Sequence, residues 1–445
     1  MTAEERLALA QRTLARSRAD ATDVTVTATH RALSRFTRET IHQNVDEVNV
    51  TIAVRAIVDG RVGIASTNAR DDDAIAAVND RARELATLAP RDQLAPLVAP
   101  PAAVEAPPGA YDAPTAQAGA ERRAQIAAAM FAHAKDAQLW SSGYVTSEDS
   151  GLTIATSAGA RLAFDGTSAG TNVKMNGADS TGWAEAYAVG IGALDGDAVG
   201  ARAARKAVAA NNPAAVDPGS WTVILEPAAF GELLAFFRPY FSAELYAEGA
   251  SYISGKLDER IAGANVTIRD DYAHPLNPGM PFDFSGAPTA RLALIENGIA
   301  RGIVTDDVWS RRLDRPNTGH AVPRAGGWPV GPQPLHTVVE PGTRPVDELI
   351  AETARGLLIT RLWYVRYVDQ RRSIVTGMTR DGTFLIEGGK VRGGVRNMRF
   401  NVAIGELLED CEFANDPTRT GGYAYSLVTP SVKFPRFRFA SVSPY

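Results

Sequence analysis

Apolar positions within residues 1–92 recur with two different periods. From Asp23 they alternate with threonines, which is typical of half-buried strands. Further β-rich stretches span 31–43, 46–58 and 61–67. Amphipathic helices are predicted on either side of these strands, over 4–18 and after Asp71, where apolar residues return at three- and four-residue spacing. The order helix, strands, helix predicts a first α+β domain over 1–92.

The remainder of the chain divides into a linker and two longer regions. Prolines among alanines, with little periodicity, predict a semi-rigid linker over 93–114. A long helix over 115–139, followed by strand patterns, predicts a middle helix and β-meander region over 115–215. Many glycines and prolines between short strands predict a β-rich domain over 216–445, interrupted by a helix over 346–361. The predicted fold class is α+β, with an N-terminal α/β-sandwich-like domain and a larger, mostly antiparallel β C-terminal domain.

One segment matches a catalytic motif by its letters alone. Gly166-Thr167-Ser168-Ala169-Gly170 fits the G-x-S-x-G nucleophile elbow, which needs a strand before it and a helix after it. The residues over 171–176 have a strand pattern instead. We therefore interpret the segment as a glycine-rich hairpin turn led by Asp165-Gly166.

Composition and charge narrow the class of function. The chain has 445 residues, a formal net charge of −5, 45% hydrophobic and 22% charged residues, and one cysteine, Cys411. A mildly acidic chain has no overall field to attract nucleic acid or an anionic membrane. A single cysteine excludes an internal disulfide framework and fits a reducing compartment. The start of the chain carries acids where a signal peptide needs positive charge, so we expect a cytoplasmic protein.

Histidines and clustered basic residues are the two remaining candidates for ligand binding. No two of the six histidines lie three to five residues apart, so no helix presents a two-histidine face to a metal. Residues 361–400 contain nine Arg or Lys residues against three acids, a local charge of +6. This basic stripe is either a surface for an anionic peptide or partner, or an exposed arginine-rich sheet face. Its principal members are Arg361, Arg366, Arg371, Arg372, Arg392 and Arg396.

Several segments, taken in order, resemble the TldD/PmbA family of cytoplasmic metallopeptidases. The resemblance runs over nearly the whole length and depends on the order and spacing of the segments more than on any one of them. The segments are Ala21–Val26, Val48–Arg55, Asp59–Ser66, Ser254–Leu257, Ile268–Asp271, Leu294–Gly298, Asn317–Gly319, Glu348–Leu358, Glu387–Lys390 and Val395-Arg396.

The resemblance implies a two-domain α+β fold and a dimer enclosing a cavity that unfolded or modified peptides enter as an extended strand. In the TldD branch of the family, a His-Glu-x-x-x-His helix and a later cysteine hold a metal. The PmbA or TldE branch lacks these ligands and is the non-catalytic half of a heterodimer. The resemblance also suggests peptide-binding or cavity-lining residues, namely Ser254, Gly255, Lys256, Asn297, Gly298, Thr318 and Gly319.

The present chain resembles the second branch. Phe230–Pro239 carries leucine, alanine and phenylalanine where the metal-binding residues of TldD would fall. Cys411 lies upstream of Thr420-Gly-Gly-Tyr423, the segment where the family's metal cysteine is expected. We therefore expect no catalytic residue, no metal ligand and no cofactor in this chain, and zinc or iron in a TldD-like partner.

The leading hypothesis is a non-catalytic TldE/PmbA-like subunit of a TldD/TldE-type metalloprotease complex that binds and helps process unfolded or modified peptides. Its expected partners are a TldD-like metal-binding subunit and the peptide, with no nucleic acid and no membrane. Two alternatives remain open. One is a homodimeric peptide-binding protein without proteolysis, and the other is a stand-alone serine-type hydrolase that uses Ser168, or Ser254 beside Lys256.

Overall fold

Long strands come first along the chain, and short strands with wider loops follow. The computed structural model of the chain describes residues 1–91, 98–322, 331–421 and 426–443. Its helices are α1 Ala3–Leu14, α2 Asp72–Leu88, α3 Ala113–Ala116, α4 Ala120–Asp136, α5 Gly196–Ala209, α6 Pro227–Phe237, α7 Ala243–Ala247, α8 Asp307–Arg312, α9 Val346–Ala351 and α10 Ile404–Glu409, with short 3₁₀ turns at Ile191–Ala193 and Arg238–Phe241.

The strands are β1 Ala21–Thr37, β2 Thr40–Val58, β3 Arg61–Thr67, β4 Trp140–Thr156, β5 Arg161–Asn176, β6 Thr181–Ala188, β7 Gly219–Leu225, β8 Ile268–Asp270, β9 Leu292–Glu296, β10 Ile299–Ala300, β11 Thr337–Val339, β12 Arg355–Asp369, β13 Ile374–Glu387, β14 Lys390–Gly394, β15 Met398–Ala403, β16 Glu412–Phe413, β17 Thr418–Thr420, β18 Leu427–Thr429 and β19 Val432–Val442.

The N-terminal half is built on one antiparallel sheet with the strand order β3-β2-β1-β4-β5-β6. The turn from β2 to β3 is made by Asp59 and Gly60, both with positive φ (48° and 70°), as the sequence predicted. One face of the sheet is apolar and covered by helices. α1 and α2 pack on Val24 and Ile52 at one end, and α4 and α5 pack on Val145 at the other.

The C-terminal half contains two sheets around a large apolar core. Strands β10-β9-β8-β11-β18-β17 form one sheet. Strands β12-β7-β19-β15-β13 form the other, which closes on itself because β12 also pairs with β13. Most pairs are antiparallel, but β12 pairs with β7 in parallel. Helix α6 follows β7 directly and is buried in this core.

The α+β fold class, with a larger β-rich C-terminal part, is confirmed. The domain boundaries after residues 92, 114 and 215 stay predictions, although the pairing of β1 with β4 carries one sheet across the first two of them. Residues 93–97 of the predicted linker lie outside the described residues. No helix in the described parts of the chain combines the length and the apolar character needed to cross a membrane.

Two local predictions were wrong. The helix predicted over 346–361 ends at Ala351, and β12 begins at Arg355 because Leu357 to Ile359 pair with β7. The predicted turn at Asp165-Gly166 lies inside β5, where Gly166 is opposite Ser150 of β4. In both places pairing with a strand distant in sequence outweighs the local pattern.

Candidate functional site

The second face of the N-terminal sheet turns toward the C-terminal half and is polar around Tyr144 of β4 and the adjoining parts of β5 and β6. At the other end of β4 the same face is apolar, and Leu152, Ile154, Leu162 and Phe164 pack there with Phe282. Side chains alternate between faces along a strand, and Val145, Val173 and Ala184 lie on the helix-covered face. Their neighbours therefore lie on the other face. The register places Tyr144, Asn172 and Glu185 in one row across β4, β5 and β6, with Thr146, Gly170 and Tyr187 in the next.

The C-terminal half meets this polar face at Tyr187. The hydroxyl groups of Tyr187 and Tyr144 are 2.7 Å apart and share a hydrogen bond. A Cβ atom on Gly421 would come within 2.2 Å of the Tyr187 ring, so only a glycine permits this approach. The tyrosine pair thus lies between the sheet and Gly421, the residue that follows β17.

An ion cluster joins the two halves next to the tyrosine pair. The Arg361 guanidinium of β12 lies 4.9 Å from the Trp183 ring of β6 and 4.6 Å from the Trp363 ring. Its Nη1 is 3.3 Å from the buried Asp381 carboxylate, which Lys174 of β5 approaches to 3.1 Å. A guanidinium between two aromatic faces remains charged while it loses water, so Arg361 is a fixed positive charge at this junction.

Two carboxyl groups share the same surroundings. Burial raises the pKa of Glu185 to about 8, although Arg361 and a hydrogen bond from the Gly421 backbone oppose the shift, and Glu232 adds to it. Burial likewise raises the pKa of Glu232 on α6. Glu185 Oε1 is buried and has no hydrogen-bond partner among the described residues. Glu185 is therefore largely protonated at neutral pH and can donate a hydrogen bond.

A groove of about 700 Å³ runs beside β6, between the two halves. Residues of β6 and α5 form one side. Residues at the start of α6, on α9 and around β17 line the remainder, together with Leu358, Phe384 and Val391 of β12, β13 and β14. β6 is the end strand of its sheet, and no other strand of the described ranges pairs with its outer edge. An edge strand presents unpaired backbone N–H and C=O groups to whatever enters such a groove.

Side chains of α5 occupy that edge. Arg202 donates to the carbonyl of Glu185 at 2.9 Å, and Lys206 approaches the carbonyl of Trp183 at 3.5 Å. In an antiparallel pair, the backbone N–H and C=O groups of alternate residues point to the same side. The backbone groups of the odd-numbered residues of β6 therefore point away from β5, toward the outer edge of the sheet. Lys206 also pairs with Glu226, which precedes α6, at 2.5 Å. This ion pair crosses from one half of the molecule to the other.

Family models match both halves of the chain. The PmbA/TldA metallopeptidase C-terminal domain matches residues 218–441, and domain 1 of the same group matches residues 23–86. The chain belongs to the PmbA/TldD metallopeptidase family. The predicted family is therefore confirmed.

One solved structure and two curated proteins are similar to this PmbA/TldD family chain. TldE from Thermococcus kodakarensis superposes with a TM-score of 0.87 at 22% identity, covering 99% of this chain and 100% of that one. A metalloprotease of Methanothermobacter thermautotrophicus is 24% identical over 233 residues, 51% of this chain and 50% of that protein. A metalloprotease of Archaeoglobus fulgidus is 22% identical over 206 residues, which are 46% of this chain and 42% of that protein. The matches thus span half or less of these two metalloproteases.

Helix α6 lacks the side chains that would bind the metal implied by the family name. Zinc or iron requires several nitrogen, oxygen or sulfur donors at one point. Between Pro227 and Phe237, Glu232 is the only side chain of that kind. Phe230, Leu233 and Phe237 are fully buried in the apolar core. The donor set of this helix does not fit a metal.

Cys411 does not fit the role of a metal ligand either. Its Sγ is 3.8 Å from the carbonyl of Leu408, and the side chain packs against the apolar core. Burial raises the pKa of its thiol to about 12, whereas a metal ligand must be a thiolate. Residues 422–423 of the predicted Thr420-Gly-Gly-Tyr423 segment lie outside the described residues. Across the described ranges, no group of three or more His, Cys, Asp and Glu side chains is arranged to hold an ion.

The sequence-predicted cavity residues take part in turns. The Ser254 hydroxyl donates to the carbonyl of Tyr246 at 2.9 Å, Gly255 has a φ of +76°, and the Lys256 ammonium lies 3.9 Å from the Tyr252 ring. Ser254 thus has a carbonyl partner, not the base that a nucleophile needs. Ser168 lies within β5 opposite Glu148, without the strand-to-helix turn of a nucleophile elbow.

The other four predicted cavity residues also hold backbone turns. Asn297 and Gly298 form the turn between β9 and β10 with φ values of 50° and 80°. Thr318 Oγ1 donates to the carbonyl of Thr305 at 3.0 Å, and Gly319 has a φ of +66°. None of the seven predicted residues is among the described residues that line the groove beside β6. Their assignment as peptide-binding residues stays a prediction.

The basic stripe is divided along the β12–β13 hairpin. Arg361 lies in the ion cluster between the halves. Arg366 is exposed on β12, and Arg371 and Arg372 are exposed in the turn before β13. Arg392 and Arg396 lie near the far end of β13, where it pairs with β14. Arg380, also within residues 361–400, lies beside Arg361, 3.9 Å from the Asp381 carboxylate and 5.5 Å from the Trp363 ring. A role of the basic stripe in binding stays a prediction.

Sequence reasoning missed Glu185, Tyr187, Arg202 and Lys206. The available signal was weak: two cations one turn apart on an alanine-rich helix, and two polar residues alternating on β6. Such patterns are also typical of a solvated helix or strand. Only the register with β5 and the packing of α5 distinguish the two cases.

Proposed function

We propose that this chain is a non-catalytic, TldE-like subunit of a cytoplasmic peptidase complex and that a TldD-like partner supplies the metal. The observation that carries the proposal is helix α6. Its buried face consists of carbon side chains, including Phe230, Leu234 and Phe237. A helix built in this way stabilises the core and offers no donor set for a metal-bound water.

The groove beside β6 supports a role in holding the peptide. An extended polypeptide adds to an exposed strand edge through main-chain hydrogen bonds, which require little sequence specificity. β6 offers such an edge, and the ion cluster around Arg361 fixes the two walls of the groove relative to each other. In this proposal the subunit positions unfolded or modified peptides and completes the cavity while the partner cleaves.

Co-expression with a TldD-like chain tests the complex. The expected result is a heteromer on size-exclusion chromatography that cleaves a fluorescent unfolded polypeptide, with no cleavage by either chain alone. Cleavage should stop on chelation. A matched control replaces the partner's metal-binding histidines with alanine, which should abolish cleavage while the heteromer persists.

Two results would contradict the proposal. One is chelator-sensitive cleavage by this chain alone, because α6 would then have to contribute to a metal site. The other is the absence of any heteromer with a partner that forms an active assembly by itself. Peptide binding by a homodimer of this chain that does not associate with the TldD-like chain would favour the alternative of a binding protein without proteolysis.

A further inference from the structure

The charges along the groove are arranged unequally. Arg202, Arg205 and Lys206 occupy positions i, i+3 and i+4 of α5, so they share one side of the helix, and all three line the groove. Arg202 and Arg205 are exposed. Arg205 forms no hydrogen bond or ion pair with any of the described residues. The side of α5 that lines the groove therefore carries three cations, and Arg205 has no partner among the described residues.

The groove also has four acidic side chains, on Glu185, Glu226, Asp347 and Asp416, and none of them belongs to α5. Glu226 pairs with Lys206. Asp416 accepts hydrogen bonds from the backbone N–H and the hydroxyl of Ser431 at 2.8 and 2.6 Å. Asp347 lies in the first turn of α9. None of these acids forms an ion pair with Arg202 or Arg205 among the described residues.

The spacing of the α5 cations matches that of an extended chain. The rise from Arg202 to Lys206 is about 6 Å over four helical residues. Residues two apart in a strand are about 6.6 Å apart and face the same side. The same match is visible within the molecule, because these two side chains reach the carbonyls of Glu185 and Trp183, which are two residues apart on β6.

α5 approaches β6 closely enough for its cations to reach a strand added at that edge. A Cβ atom on Gly182 would come within 2.2 Å of the Ala203 carbonyl oxygen, so the glycine allows backbone contact between strand and helix. The helix-facing positions that follow on β6, Ala184 and Ala186, are also small. A peptide strand beside β6 would have its helix-side residues next to Arg202, Arg205 and Lys206.

We propose that the β6 edge is a binding site for extended peptides with acidic side chains at alternate positions, which Arg202, Arg205 and Lys206 recognise. Without peptide, Arg202 and Lys206 cover the outward carbonyls of β6. An incoming strand takes over those backbone groups, and its carboxylates accept hydrogen bonds from the side chains it displaces. The inference rests on the proposed function and adds the substrate class to it.

Three synthetic peptides of equal length test the preference. They carry glutamate, glutamine or lysine at two positions two residues apart and are otherwise identical, and fluorescence anisotropy measures their binding to the full chain. We expect the glutamate peptide to bind about fivefold or more tightly than the glutamine peptide at low salt. The difference should largely disappear at high salt, because exposed cations are screened. The lysine peptide should bind most weakly.

Charge reversal locates the preference. Arg205→Glu should remove the advantage of the glutamate peptide, so that the ratio of the glutamate-peptide affinity to the glutamine-peptide affinity falls to about one or below. Arg371→Glu is the matched control, because Arg371 is exposed in the turn before β13, outside the groove. It makes the same change of net charge and should leave the ratio of the two affinities unchanged. Thermal melting of both variants checks that they fold.

The outcomes separate the two proposals. If no peptide binds, the peptide-holding function itself fails. If the three peptides bind equally, peptide holding survives and the acidic preference is overturned. If Arg371→Glu lowers the ratio as much as Arg205→Glu does, the preference reflects overall charge and the site on α5 is overturned.

Discussion

The two helices that border the groove have opposite compositions. α6 buries large side chains, with Phe230, Leu234 and Phe237 almost completely inaccessible to solvent. α5 buries alanines, such as Ala203 and Ala207, and carries its cations on the side that lines the groove. Large apolar side chains stabilise a core but offer no group that can bind a ligand. Small buried side chains let a helix approach a strand closely, and the charged residues on the exposed side of that helix can then contact a ligand. The comparison assigns core stability to α6 and the proposed peptide binding to α5.

The largest expected effect is on α6. Phe237→Ala removes a fully buried ring that contacts the rings of Tyr240 and Phe241. We expect a loss of about 3–5 kcal/mol in the free energy of unfolding, measured by denaturant titration, because a cavity remains where the ring was. Arg205→Ala on α5 is the contrast and should change stability by less than about 0.5 kcal/mol. Similar losses for both would remove the distinction between the helices.

A smaller effect is expected where α5 meets β6. Gly182→Ala places a methyl group 2.2 Å from a carbonyl oxygen and 2.3 Å from a backbone nitrogen of α5, so helix or strand must shift. We expect a loss of about 1–3 kcal/mol and weaker peptide binding. Gly192→Ala is the matched control, since its Cβ would meet no atom within 4 Å. A neutral Gly182→Ala would show that the close contact of α5 and β6 is not required.

The buried carboxyl group on β6 gives a pH-dependent effect. Because the pKa of Glu185 rises to about 8 on folding, the folded chain keeps a proton that the unfolded chain loses above its ordinary pKa of 4.5. Wild-type stability should therefore fall, relative to Glu185→Gln, as the pH rises from 4.5 through 8.

At pH 9 the Glu185→Gln variant should be more stable than wild type by up to about 5 kcal/mol, and at pH 4 the two should be equal. Urea titrations at both pH values measure the difference. Glu47→Gln, at an exposed position on β2, is the control that makes the same chemical change outside the buried cluster. A difference between Glu185→Gln and wild type that does not change with pH would contradict the assigned protonation state.

The smallest effect concerns the ion pair between the halves. Lys206 and Glu226 are each about one-fifth exposed, so their coupling should be about 1 kcal/mol or less. A double-mutant cycle with Lys206→Met and Glu226→Gln, read from unfolding free energies, measures it. A coupling of zero would mean that the pair does not connect the two halves energetically.

Local pattern predicted much of the N-terminal half. Period-two alternation gave the strands over 46–58 and 61–67, and Asp59-Gly60 gave the turn between them. These predictions succeeded because alternation and turn chemistry act over a few residues. The helix predicted over 346–361 failed in its second part because Leu357 to Ile359 pair with β7, more than 130 residues away in sequence. A short stretch of sequence cannot show a contact between residues so far apart along the chain.

The sequence by itself determined the family and the apolar character of α6, because residue identity decides whether a side chain can bind a metal. It also determined which stretches could form strands. The tertiary structure alone decided that Glu185 is buried beside Glu232 and Arg361, and that α5 borders the edge of β6 with which no other strand of the described ranges pairs. A pKa and a groove depend on which surfaces exclude water together, and those surfaces come from segments far apart along the chain.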